Sequence, residues 1–167
     1  TYQVKTRNST TGCISSGSNI TGTVNLLPVK YNLTGGGSYC SGGSGVTIGL
    51  SDSQSGVSYQ LIRNGTTNVG SPVSGTGNAI SFPKQTIAGT YTVFATNIST
   101  GCEIGMNYIK TVTIDPLPTK YSVTGGGSYC SGGTGVPIGL SDSQSGVNYQ
   151  LVRNGVTNVG NEVPGTG

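Results

Sequence analysis

The chain has 167 residues, with eight Lys and Arg, five Asp and Glu and no His, and its formal net charge is +3. Only 8 % of its residues are charged, and this small net charge excludes an intrinsically disordered composition, which pairs low hydrophobicity with high net charge. Glycine without a three-residue period excludes collagen, no stretch approaches the ~20 apolar residues of a membrane span, and scattered Lys and Arg offer no patch for nucleic acid.

In chain order, residues 1–13 read TYQVKTRNSTTGC and return as TYTVFATNISTGC at 90–102, an offset of 89. A one-residue indel then aligns Leu27-Pro28 with Leu117-Pro118. Residues 31–70 and 121–160 match at 33 of 40 positions at an offset of 90. Self-similarity at this period is the signature of a tandem array. The expected organisation is the C-terminal part of one repeat over 1–27, a complete repeat over 28–117, and the N-terminal part of the next over 118–167. Because the chain opens on Thr1 and both ends fall inside a repeat, it is expected to be a processed or partial product.

Within the complete repeat, apolar residues alternate with polar ones. Val46, Ile48 and Leu50 form the first run, Val57, Tyr59 and Leu61 the second, and Ile80 and Phe82 the third. Tyr91, Val93 and Ala95 follow, and Val112 and Ile114 close the repeat. A period of two places one face of each strand in a core and the other in water. Turn signals separate the runs at residues 35–37, 51–56, 64–65, 75–78 and 97–101, and Asn64-Gly65 suits a type I′ hairpin because both residues tolerate φ > 0. No run has helical spacing. About seven short strands in about 90 residues predict an all-β chain of tandem immunoglobulin-like β-sandwich repeats, with Tyr91 near a tyrosine-corner position.

The cysteines follow the repeat. Cys40 and Cys102 belong to the complete repeat, Cys130 is the equivalent of Cys40, and Cys13 is the equivalent of Cys102. Four cysteines allow three connectivities. The repeat selects an intra-repeat disulfide between Cys40 and Cys102, with Cys13 and Cys130 paired to adjacent repeats or copies. Closing so long a loop contributes roughly 4 kcal/mol on the chain-entropy model, and it implies an oxidising, extracellular setting.

The combination YxVTGGGSYCSGG, GVxIGLSxSQxGVxYQLxRNG and GTYTVxATNxxTGC resembles the tandem Ig-like repeats of giant surface proteins of Bacteroidota, exported by the type IX system and similar to gliding adhesins. The resemblance spans essentially the whole chain. It implies a secreted, surface-attached, fibre-like or adhesive role, and it carries over no catalytic residue.

Candidate constellations are few. Without His, neither a Ser-His-Asp nor a Cys-His centre can be assembled, nor a His-containing zinc site. Residues 35–37 and 125–127 lack the Lys-Ser/Thr ending and following helix of a phosphate loop, and read as turns. Asp52 and Asp142 each supply one carboxylate where calcium takes 6–8 oxygens, so they read as turn caps. Arg63 and Arg153 read as solvated hairpin charges. Five Asn-x-Ser/Thr sequons, at Asn8, Asn19, Asn32, Asn64 and Asn97, only slightly exceed chance. No catalytic, cofactor or metal site is expected. The expected role is a non-enzymatic structural repeat of an extracellular fibre or adhesin stalk. Its expected partners are copies of itself, with surface glycans as a further class. A glycan- or protein-binding module and a pilin-like subunit assembled by strand exchange are the alternatives.

Overall fold

The computed structural model describes residues 1–167 and contains strands without any helix. The chain divides into two compact units, residues 1–114 and 115–167.

In the first unit, β1 (Lys5–Arg7) and β2 (Ile14–Ser16) form a two-stranded hairpin. The remaining strands of this unit form two sheets. β3 (Leu33–Gly35), β5 (Ile48–Leu50) and β8 (Ile80–Ser81) make a three-stranded sheet. A larger sheet has the order β4 (Gly37–Cys40), β11 (Lys110–Asp115), β9 (Gly89–Asn97), β6 (Val57–Arg63) and β7 (Thr67–Ser74), with β10 (Glu103–Gly105) also paired to β9. The two sheets enclose one core in a sandwich-like fold. Leu33, Ile48, Leu50, Ile80 and Phe82 come from the side of the smaller sheet. Val57, Tyr59, Leu61, Tyr91, Val93, Ala95 and Val112 come from the larger. The alternation within β6 and β9 is what delivers the latter residues to one face.

Polar turns hold the ends. At the hairpin between β6 and β7, Asn64 and Gly65 have φ of 51° and 78°, and Thr66 N donates to Arg63 O at 3.3 Å. Both central residues lie in the left-handed region that a type I′ turn requires. The Tyr91 hydroxyl donates to Ile87 O at 2.7 Å, the upstream backbone bond of a tyrosine corner.

The glycines at 35–37 carry the chain between sheets. All three have positive φ; β3 before them pairs with β5, and β4 after them pairs with β11. A Cβ on Gly35 would run into Thr47 O. Glycine is therefore required there for both conformation and space.

In the second unit, β12 (Val123–Gly125) pairs with β13 (Ile138–Leu140), and β14 (Asn148–Arg153) with β15 (Thr157–Pro164). Part of the sequence repeat recurs in the structure, although residues 127–130, the counterpart of β4, form no strand. β14–β15 has the register of β6–β7 and the same irregularity, Tyr149/Leu151 against Tyr59/Leu61. Tyr149 OH accepts from Gln144 N at 2.9 Å, as Tyr59 OH accepts from Gln54 N at 2.8 Å.

Candidate functional site

The structure does not bring Cys40 and Cys102, the expected disulfide pair, together. All four cysteines are free thiols; Cys13, Cys40 and Cys130 are exposed and Cys102 is half-buried. Cys102 follows the turn after β9, and its carbonyl accepts from Asn97 N. Residues 32–40 run parallel to the β10–β11 edge. Asn32 bridges Asn107 in parallel sense, and Gly36 lies against Lys110 and Thr111. Thr111 in turn faces Thr90, at the opposite end of β9 from Asn97. Seven residues of strand at about 3.3 Å each put these two levels more than about 20 Å apart, and Cys40 lies further on. A disulfide needs Cα atoms about 4.4–6.8 Å apart. The same separation applies to the equivalents Cys13 and Cys130 if they were to share one sandwich. Non-reducing peptide mapping of the folded chain is expected to yield no Cys40–Cys102 peptide, and a dominant one would show a different register.

The other polar candidates serve turns. Asp52 Oδ1 accepts from Ser53 N at 2.7 Å. Buried Ser53 donates its hydroxyl to Asn78 O at 2.6 Å and accepts from Thr76 N at 2.9 Å. Asp142 repeats the first of these bonds on Ser143 N at 2.7 Å. No three His, Cys, Asp or Glu side chains come together. Arg63 is half-buried beside Gly89. Among the sequons, Asn8 and Asn97 each accept from two backbone amides of their own turn. Asn64 Oδ1 accepts from Thr90 N at 3.0 Å, which ties the hairpin to β9.

Gln54 has a role that its sequence context did not suggest. Its Oε1 accepts from Val29 N at 3.1 Å, and Gln144 does the same for Thr119 N at 2.9 Å. The only available signal was the recurrence of Ser-Asp-Ser-Gln-Ser-Gly in both copies.

Tyr59 is fully buried. Burial pushes its phenol above the ordinary value of 10.0, against the lowering effect of the Gln54 amide. The folded state thus keeps a proton that the unfolded state releases. Stability is unaffected below pH 10 and falls as pH rises above it. Tyr59→Phe is expected to flatten that alkaline loss while costing about 1 kcal/mol at neutral pH through the lost hydrogen bond; urea titrations at pH 7 and pH 11 check both.

The most distinctive surface is an apolar groove in the second unit, lined by Val123, Ile138, Leu140, Tyr149, Leu151 and Val163. Its residues are equivalents of core residues. Leu61 is 0 % exposed and Leu151 41 %; Ile48 is 0 % exposed and Ile138 52 %. Comparison with protein-family models, with curated proteins and with solved structures found no match.

Proposed function

We propose that the chain is a structural repeat of an extracellular fibre or adhesin stalk, built from Ig-like units of about 90 residues and without enzymatic activity. One observation carries this reading: the complete repeat receives the chain at one end and releases it at the other. Asn25 O lies 4.0 Å from Cys102 Sγ, and Val29 N is held by Gln54, both near the Val57–Asn97 end. The chain leaves along β11, whose Val112 faces Gly89 at the far end of β9. A unit with this polarity suits a tandem array.

The near-identity of the copies supports the same role, since residues kept alike across repeats serve packing and turns. The tyrosine corner at Tyr91 supports the Ig-like assignment. The resemblance to Bacteroidota surface repeats adds secretion and surface attachment. Antibodies against the chain, applied to intact cells and viewed by immunogold electron microscopy, are expected to decorate extended surface structures. Label confined to the cell interior would overturn the reading.

A further inference from the structure

The chain enters and leaves residues 28–117 on neighbouring segments that run the same way. Asn32 bridges Asn107 in parallel sense, and four residues further along each segment Gly36 lies against Thr111. β4 continues this course beside β11. The entering segment is pinned at one end of the sandwich, where Gln54 Oε1 accepts from Val29 N at 3.1 Å. The leaving strand finishes at the other end. Val112 faces Gly89, the first residue of β9, and residues 113–115 run on past it.

Tension applied from both sides of residues 28–117 therefore draws the entering segment towards one end and β11 towards the other. The two pulls are opposed and lie along the strands. The backbone bonds between β4 and β11 then share the load and must fail together. If these two strands were paired antiparallel, the chain would enter and leave at the same end, and the bonds would open one at a time. β3 is loaded in the same sense against β5, with which it pairs from Leu33 to Gly35.

We propose that the parallel pair of β4 and β11 is the load-bearing joint that keeps residues 28–117 folded when the chain is pulled. The proposal rests on the fibre reading and gives the repeat a mechanical task within it. Gly36 allows the close approach: its φ is 78°, and a Cβ there would meet Thr111 O at 3.0 Å and Lys110 Cβ at 3.1 Å. Tyr39 anchors β4 against sliding, since its ring packs on the core and its hydroxyl donates to Thr86 O at 2.6 Å. β11 is backed by β9 at Lys110, Thr111 and Val112.

Single-molecule force spectroscopy tests this on the full chain, with its four native cysteines changed to Ser and handles at its two ends. Opening of residues 28–115 is recognised by length, because it releases roughly 300 Å at about 3.3–3.6 Å per residue. A second tethering loads the same sheet differently. Ser58→Cys and Ser74→Cys place the handles on directly paired residues at the open end of the β6–β7 hairpin, whose rungs then part singly. At one loading rate the end-to-end force is expected to be at least about twofold higher, because forced opening follows the unfolding rate and shear loads several bonds at once. Gly36→Ala is expected to remove at least about half of that excess by overpacking the strand contact. Gly42→Ala is expected to retain it, since Gly42 has φ of 81° and a Cβ there meets nothing within 4 Å. Urea unfolding establishes beforehand that both variants fold; if Gly36→Ala does not, the two tetherings decide alone. End-to-end opening at the hairpin force overturns the proposal, as does an equal loss of force in Gly36→Ala and Gly42→Ala. Surface fibres whose repeats open at the hairpin force would remove the joint and leave the fibre reading standing, whereas a strong joint with interior label would do the reverse.

Discussion

Leu61→Ala is expected to lower the stability of the first unit by about 2–5 kcal/mol, the range for truncating a fully buried leucine. The side chain sits at the centre of β6, fully buried, between the two sheets. Leu151→Ala removes the same atoms from the same position of the next repeat, but from a side chain that is 41 % exposed. In dilute chain it is expected to cost less than about 1 kcal/mol, nearer the range of surface substitutions. Urea unfolding of the two variants at one protein concentration measures the difference. Equal losses would mean that Leu151 is already covered.

Gly35→Ala is expected to be the most damaging glycine substitution, with Gly65→Ala as its internal control. The two glycines have nearly the same φ, 75° and 78°. An L-residue in that region costs roughly 1–2 kcal/mol at either site. At Gly65 an added Cβ meets nothing within 4 Å, whereas at Gly35 it meets the Thr47 carbonyl, a backbone atom that cannot turn aside. The excess loss at Gly35 over Gly65, expected to exceed about 1 kcal/mol on the scale of core overpacking, isolates the overlap. Matching midpoint shifts in thermal unfolding would show that Thr47 gives way. Gly125 stands in the same relation to Pro137 O, so Gly125→Ala is expected to disturb the β12–β13 pair in the same way.

Much of the architecture was legible in residue order. The alternation of Val57, Tyr59 and Leu61 specifies which face of β6 is buried, because successive side chains of a strand point to opposite sides. Asn64-Gly65 specifies the hairpin, because both residues accept positive φ. The 90-residue offset specifies that the turns and hairpin of one copy recur in the other, as the Gln54–Tyr59 bond recurs at Gln144–Tyr149. Each of these is a local property.

The positions of the cysteines were decided elsewhere. Periodicity assigns a side chain to a face but says nothing about which end of the sandwich it occupies. That depends on how strands far apart in sequence align. The glycines at 35–37 move the chain from the smaller sheet to the edge of β11, and the parallel course alongside β11 then carries Cys40 away from Cys102. The break between β10 and β11, where Tyr108 has φ of 66°, likewise has no sequence signal. Burial was decided in the same way. Leu61 and Leu151 occupy equivalent positions in near-identical strands, but Leu61 lies in a six-stranded sheet facing a second sheet, whereas Leu151 lies in a two-stranded pair and is 41 % exposed. By itself the sequence determined strand faces, turns and the repeat, since these depend on neighbours along the chain. Only the tertiary structure decided that Cys40 and Cys102 lie far apart, because that depends on which strands meet across the sheets.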